Sequence, residues 1–546
     1  MLDYLIKNAW IVDGRGRAPF LGDAGIKKDR IAEIGKICSE ARKLINAAGL
    51  YLAPGLIDIH THSDFAIIKN PAAENMLMQG ITTNVVGNCG VSSFPVRKPA
   101  RRIFVKNPDM LYREKPHWEN LTSYAQAVEM KNPAINIAAL VGFRNLRLSI
   151  VGFFARDATK HEIKEMSDML STSMKNGAFG MSTGLIYTPD AYARTEEIIG
   201  VASALKEFDG IYASHIRNES DKVLEAVREA VIIGKEAKVS VEISHHKAAE
   251  RKNFGRVKET LELMMKAREL GISVNCDVYP YIASWTDTEV LLPKWLFAKG
   301  INRAISILKN RKVREFIKRE LKDETRKWDN MIAGVGWKNI KITKVRQLHN
   351  RKYVGMSIKD AAAHVRKNPI DFVMDLIISE RGFSEIICLE MDEKDIEAIV
   401  KSPISMIASD SEITPADSVR KRRVMEKKPK KPMQFVHPRA YGTFPRVIAE
   451  YVRKKKLLRI EQAVCKMTGM PAIKLGLYKR GFIKEDYYAD LVIFNLNTIE
   501  DRATYENPYQ YPAGIYHVFV NGKPAVERGR ITKNRNGRFL LKNKGE

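Results

Sequence analysis

The feature that most constrains this chain is an alternation that repeats eight times between residues 55 and 410. A short apolar run is followed each time by a stretch with apolar residues at helical spacing. The runs are "GLIDIHTH" (55–62), "ITTNVVGNC" (81–89), "INIAALVG" (135–142), "AFGMSTG" (178–184), "IYASHIRN" (211–218), "VSVEISHHK" (239–247), "ISVNCDVYPY" (272–281) and "ISMIASD" (404–410). Between them lie amphipathic segments such as "DKVLEAVREAVIIGKEA" (221–237). Eightfold strand–helix alternation predicts an α/β chain folded as a (β/α)8 TIM barrel, in which residues at the strand C-termini carry the chemistry. The regular spacing breaks once, at 282–403, which is mostly charged and helical. It is expected to be an insertion between strands seven and eight, a candidate lid or substrate-shaping subdomain. The ends differ from the middle. Residues 1–54 and 476–546 carry strand-like pieces separated by Gly turns, such as "LIKNAWIVDG" and "ADLVIFNL". A small β-sandwich built from both termini is expected, flanking a barrel that spans 55–475.

Composition narrows the functional classes. The five cysteines (38, 89, 276, 388 and 465) are widely spaced and contain no CxxC, so they do not read as a disulfide framework. No apolar stretch approaches the length of a membrane span. The start "MLDYLIKNAWIVDG" has an acid at position 3 and alternating apolar residues, so it reads as a strand and not as a signal peptide. A soluble, cytoplasmic protein with no membrane partner is expected. The formal charge of +27 raises nucleic-acid binding, but the basic residues are spread throughout and no nucleic-acid motif is present. The excess reads instead as a lysine-rich surface that steers acidic substrates. Its densest run, "RKRRVMEKKPKKP" (420–432), reads as an exposed loop.

The strand ends carry a ligand set. Strand one offers His60 and His62, two apart and therefore on one face. Strand two ends on Cys89, strand five on His215, strand six on His245 and strand eight on Asp410. Each alone is readable as a core residue: a free cysteine is usually a small buried hydrophobe, and a lone histidine is usually hydrogen-bonded. Six potential ligands on one rim of one barrel read as a metal centre. A mixed cysteine and histidine set suits zinc better than magnesium or calcium, and zinc would hold Cys89 as thiolate. Asp410 is placed to take a proton from metal-bound water and pass it to a leaving nitrogen. Metal-assisted hydrolysis is the reaction class.

The stretches "APGLIDIHTHSD", "GITTNVVGNCG", "GAFGMSTGLIYTP", "IYASHIRNE", "EISHHKAA", "DVYPYIAS", "MIASDSE", "HPRAYGTFPRVI" and "KMTGMPAIKLGL" occur in order along nearly the whole chain. In these the chain resembles the amidohydrolase superfamily, specifically its N-acyl-D-amino-acid deacylase (D-aminoacylase) family. The resemblance implies a barrel of the metal-dependent hydrolase type. It also implies hydrolysis of a linear N-acyl-D-amino acid to a carboxylate and a free D-amino acid, with metal-bound hydroxide as nucleophile. Many amidohydrolases bridge two metals through a carboxylated lysine on strand four; "AFGMSTG" has no lysine, and in the deacylases a cysteine after strand two does that work. The resemblance thus makes Cys89, His215 and His245 ligands of a tightly bound Zn2+. His60, His62 and Asp410 would form a second, weaker site, and Asp410 would be the general acid/base. Lys247 and Arg439 match residues that hold the substrate carboxylate, with Tyr281 and Ser284 as hydroxyl donors on the loop after strand seven.

Two positions depart from the family pattern. Phe143 stands where a histidine usually follows the strand-three "VG", and the segment between Asp410 and "HPR" is long and basic. Two rival readings remain at this stage. A cyclic-amide hydrolase of the hydantoinase or dihydroorotase kind would normally use the absent strand-four lysine. A non-catalytic basic binding protein has no physical need for all six ligands. The expected partner is therefore a small N-acyl amino acid, with no nucleic acid; the sequence does not fix the oligomeric state.

Overall fold

The computed structural model describes residues 1–97, 118–322, 330–415 and 434–542. Its centre is a ring of short parallel strands. These are β1 (Leu56–Asp58), β2 (Ile81–Val86), β3 (Asn136–Ala139 and Val141–Gly142), β4 (Gly180–Gly184), β5 (Ile211–His215), β6 (Ser240–Ile243), β7 (Val274–Val278) and β8 (Ser405–Ile407). Each is hydrogen-bonded in parallel to the next. β3 is in two pieces because its first half pairs with β2 and its second with β4. Just beyond β1 and β8, a bridge between Thr61 and Ser411 closes the ring. It is reinforced by His62 N–H donating to Ser411 O at 2.8 Å and Asp410 N–H to His60 O at 2.9 Å. The eightfold alternation is therefore a closed (β/α)8 barrel, and the last stitch is made by segments that carry candidate ligands.

Alternation along the strands sorts side chains inward and outward. Val85, Ala138, Leu140, Phe179, Ile211, Ala213, Met406 and Ala408 fill the barrel interior, and Leu475 and Leu540 pack onto the same cluster. The outward residues, such as Val241, Ile243, Val274 and Cys276, meet the surrounding helices in the largest core. The helix Val223–Ala237 shows why: its buried positions Val223, Ala226, Val227, Ala230, Val231 and Gly234 recur at three and four residues and form one stripe. The helix Lys160–Lys175 is started by a capping box between Thr159 and Glu162, a device worth about 1 kcal/mol. Phe143 is fully buried in this outer core, so it offers nothing to the barrel mouth.

Between β7 and β8 the chain builds a separate unit. Strands Ala283–Asp287, Ile340–Lys344 and Glu385–Leu389 form an antiparallel sheet. Helices including Ile301–Leu308, Arg311–Glu320 and Pro369–Glu380 pack with it around their own apolar core. At the termini, Leu2–Ile11, Phe20–Lys27, Arg30–Gly35, Ala41–Asn46 and Tyr51–Pro54 join Leu491–Phe494, Ile515–Val520, Lys523–Glu527 and Arg530–Ile531 in one nine-stranded sheet. The seam is antiparallel pairing of Tyr51–Pro54 with Leu491–Phe494. Residues from both ends, among them Ile6, Ile26, Leu52, Leu491 and Phe519, share its core. The basic run 420–432 lies outside the described residues.

Candidate metal centre

The six ligand candidates converge at the C-terminal mouth of the barrel. Cys89 Sγ lies 3.3 Å from His60 Nε2, 3.3 Å from His245 Nε2 and 3.7 Å from His215 Nδ1. His62 Nε2 and His60 Nε2 lie 3.0 and 3.4 Å from Asp410 Oδ1. Cys89, His60, His215, His245 and Asp410 are buried, whereas the His62 side chain is 37 % exposed. Burial pushes the Cys89 thiol up, but the charges of His60 and His245 and hydrogen bonds from His215 and His245 outweigh it and hold it well below the usual range. Burial likewise raises the Asp410 carboxyl, and Arg439, His245, His60 and His62 together bring it well below the carboxylate range.

Local backbone geometry aims these groups. Cys89, His245 and Asp410 all have positive φ (49°, 35° and 49°), a conformation that non-glycine residues adopt only when their surroundings enforce it. Val241 and Ile243 face the outer core, so plain alternation would send His245 outward with them. Its left-handed turn brings the ring inside instead. Gly90 also has positive φ (79°), and a Cβ there would meet Asp190 Oδ2 at 2.2 Å. The loop behind Cys89 thus needs glycine.

A supporting layer of acids fixes the rings. Asp277 Oδ2 lies 3.3 Å from His60 Nδ1, and Asp277 Oδ1 accepts the His245 backbone N–H at 2.8 Å. Glu219 Oε1 lies 3.0 Å from His245 Nδ1 and 2.6 Å from Lys247 Nζ. His245 turns Nε2 toward the Cys89 sulfur, and its Nδ1 sits between Glu219 Oε1 at 3.0 Å and Lys247 Nζ at 2.9 Å, which together fix the ring. Metal-binding histidines are commonly oriented in this way. Neither Asp277 nor Glu219 was singled out from sequence. Glu219 stands four residues after His215 in "HIRNE", and that spacing was the available signal.

The donor set fits zinc. Tetrahedral zinc with Zn–S of about 2.3 Å and Zn–N of about 2.0–2.1 Å requires sulfur–nitrogen edges of about 3.6 Å. The three observed edges of 3.3, 3.3 and 3.7 Å are close to it. A thiolate among imidazoles also suits zinc rather than a hard cation. His60 faces both Cys89 and Asp410, so it belongs geometrically to either of two adjoining groups, His60–Cys89–His245 and His60–His62–Asp410.

The cavity above holds about 290 Å³ and is lined by His62, Cys89, His215, His245, Asp410, Glu219, Lys247, Tyr279, Ser284 and Arg439, with residues of the insertion forming its far wall. Arg439 Nη1 lies 2.8 Å from Asp410 Oδ2, and its guanidinium sits 4.5 Å from the Tyr279 ring. His437 positions Arg439 by accepting its backbone N–H on Nδ1 at 3.0 Å. The two tyrosines after β7 part company at Pro280. Tyr281 N–H turns back to Tyr279 O at 2.9 Å, and the Tyr281 hydroxyl points away to Asp501 at 3.4 Å. It is Tyr279 whose hydroxyl is buried at the cavity with no hydrogen-bond partner among the described residues, as is the Ser284 hydroxyl.

A closed parallel barrel with a thiolate–imidazole cluster and a paired aspartate at its catalytic end defines a metal-dependent hydrolase. The family model described as "Amidohydrolase family" matches residues 43–284 and 429–526. The chain belongs to this family. It is 34 % identical to a D-aminoacylase of Alcaligenes xylosoxydans xylosoxydans over 99 % of this chain and 98 % of that one. It is 33 % identical to an N-acyl-D-glutamate deacylase of the same organism over 97 % and 96 % of the two chains. Among solved structures it resembles the N-acyl-D-glutamate deacylase of Bordetella bronchiseptica, complexed with zinc and a phosphonate mimic of the tetrahedral intermediate (TM-score 0.81, 32 % identity, 99 % of each chain). It also resembles a D-aminoacylase whose binuclear metal centre is described as activated by one metal and attenuated by a second (TM-score 0.79, 33 % identity, 99 % and 100 % of the two chains). Hydantoinase structures share the fold alone, at 14 % identity and a TM-score of 0.54.

Proposed function

We propose that the protein is a zinc-dependent deacylase that hydrolyses N-acyl-D-amino acids to a carboxylate and a free D-amino acid. The observation that carries this reading is the Cys89 sulfur facing three imidazoles beside the Asp410–Arg439 pair, in a chain alignable end to end with D-aminoacylases. β4 (Gly180–Gly184) has no lysine to serve as a carboxylated metal ligand, and Cys89 would supply the anionic ligand instead. This argues against cyclic-amide hydrolysis of the hydantoinase kind.

Cys89, His215 and His245 would hold the tight metal. When bound, zinc acidifies water and polarises the acyl carbonyl. Lys247 and Arg439 hold the α-carboxylate, Arg439 through its planar fork and Lys247 as a point charge. The Tyr279 and Ser284 hydroxyls complete that cradle. Tyr281 supports it from behind by packing on His437, ring centroids 5.4 Å apart. Asp410, ionised and turned by Arg439, accepts the proton of the attacking water and delivers it to the departing nitrogen. His60, His62 and Asp410 form the weaker metal group. Filling it would occupy the carboxylate that moves the proton, so a second equivalent of metal is expected to slow turnover.

Residues 1–54 with 476–546 form a domain separate from the 55–475 barrel, and the 282–403 insertion shapes the substrate pocket. A cytoplasmic location is supported by five free cysteines, and no helix among the described residues is long and apolar enough to cross a membrane. The test is a zinc-supplemented screen of N-acyl amino acids of both hands, with amine release measured. Release from D but not L substrates is expected. Hydrolysis of hydantoins or dihydroorotate with no release from N-acyl-D-amino acids would overturn the reading.

A further inference from the structure

On the wall of the cavity opposite the α-carboxylate cradle stands Arg144, the second residue of the helix Phe143–Ile150 that follows β3. Its Nε and Nη2 are buried and have no hydrogen-bond partner among the described residues. Its ion-pair partner is the buried Asp190, whose Oδ1 lies 3.6 Å from Nε, longer than a hydrogen bond. Asp190 Oδ2 is already taken by the Gly184 N–H at 3.0 Å. A structural arginine in this fold looks different. Arg147, on the same helix, is wholly buried and donates to Glu197 at 2.9 Å, Phe154 O at 3.3 Å and Arg156 O at 2.6 Å. Arg144 has no such set of acceptors and opens onto the cavity.

The Tyr187 ring lies between Arg144 and His215. It lies 5.3 Å from the guanidinium on one side and 5.0 Å from the His215 ring on the other. Arg144 also lines an adjoining chamber of about 80 Å³ with Tyr187, Asp287, Glu289 and Lys294. Asp287 is exposed at its rim. Burial and Asp287 push the Glu289 carboxyl up to about 8 against the pull of Arg144, so Glu289 does not carry a full opposing charge at neutral pH. Asp190 balances part of the charge, but a partly buried guanidinium with two N–H groups short of acceptors gains from a further anion, and its planar fork matches a carboxylate.

We propose that Arg144 is a specificity-determining residue that selects substrates whose acyl group ends in a carboxylate, such as N-succinyl-D-amino acids. This rests on the deacylase reading above. In an eight-stranded ring β3 lies across from β7, while Lys247, Tyr279 and Arg439 follow β6, β7 and β8. A substrate laid across the metal with its α-carboxylate toward β7 therefore sends its acyl chain toward β3 and Arg144.

The experiment measures binding in the zinc-loaded Asp410→Asn protein, which keeps substrate intact. Kd is determined for N-succinyl-D-leucine against its uncharged isostere N-succinamoyl-D-leucine, with N-acetyl-D-glutamate against N-acetyl-D-glutamine as the second arm. With Arg144 present, the succinyl compound is expected to bind about tenfold or more tighter than its amide, and Arg144→Met should bring that ratio close to one. A ratio near one with Arg144 in place overturns the proposal, as does a ratio that survives Arg144→Met. Discrimination confined to the glutamate–glutamine pair overturns the acyl-end assignment and moves the second carboxylate to the amino-acid side chain. If the zinc-loaded wild-type enzyme releases no amine from any N-acyl-D-amino acid, the deacylase reading fails, while the binding ratio still decides for or against Arg144.

Discussion

Replacing Cys89 by alanine tests the centre at its hub. The Sγ atom is the one ligand atom within 3.7 Å of three imidazole nitrogens among the described residues, and it supplies the negative charge that offsets a bound dication. Small zinc sites bind their metal with about 10–16 kcal/mol of apparent free energy spread over four ligands, so one thiolate accounts for about 2.5–4 kcal/mol. Its loss should weaken zinc binding by about two to three orders of magnitude, at 1.4 kcal/mol per tenfold. The remaining imidazoles and Asp410 still offer nitrogen and oxygen ligands, so zinc should exchange readily rather than be excluded. Competition with a chromophoric chelator at fixed pH gives the dissociation constant, and metal analysis after gel filtration gives the retained stoichiometry. Alanine takes up the positive φ of position 89 no less readily than cysteine, so the fold should persist in circular dichroism. Cys89→Ser, which keeps the volume but offers a harder oxygen, should fall between the two. A Cys89→Ala protein that retains zinc within threefold of wild-type affinity would refute the assignment of Cys89 as a ligand.

Three further outcomes are expected. Asp410→Asn should lower kcat by about 10²–10⁴ while leaving the tight zinc in place, checked by turnover and metal analysis on the same preparation. Asp277→Asn replaces an acceptor of the His60 Nδ1 proton by a donor, so chelator competition should show metal affinity about 10–100-fold weaker; unchanged affinity would remove Asp277 from its orienting role. Lys466 is buried beneath β8, with its ammonium donating to Ser402 O, Ser405 O and Ser405 Oγ, and burial pushes its pKa down to about 8. Below pH 8 it is charged in both states and the folded protein bears the full burial cost. Above it the unfolded chain binds more protons, so stability rises with pH. Relative to Lys466→Met, wild type should gain about 2 kcal/mol between pH 8 and 10 in denaturant titrations.

The barrel was legible because each strand–helix unit declares itself locally. Eight apolar runs set between helical stripes leave few other folds, and each strand's end marks the catalytic rim. The candidate ligands were legible for the same reason: a ligand at a strand end needs no knowledge of its neighbours to be placed on that rim. The terminal strands were also readable, but their joining through Tyr51–Pro54 and Leu491–Phe494 into one sheet depends on pairing across the whole chain.

What only the tertiary structure decided is direction and partnership. Strand periodicity sends His245 outward and gives Tyr279 and Tyr281 one face. A positive φ and a turn at Pro280 reverse both expectations, because alternation stops holding where a strand ends. Glu219 and Asp277 come to the histidine cluster through space, Glu219 from the loop beyond β5 and Asp277 from inside β7, and neither carries a sequence mark of its target. The same holds for Arg144. As a letter it is one of 91 basic residues in this chain, and only the folded barrel leaves it partly buried, paired with Asp190 and lining the cavity. Local chemistry is written in the sequence, whereas which group meets which across the barrel mouth is fixed only when the ring closes.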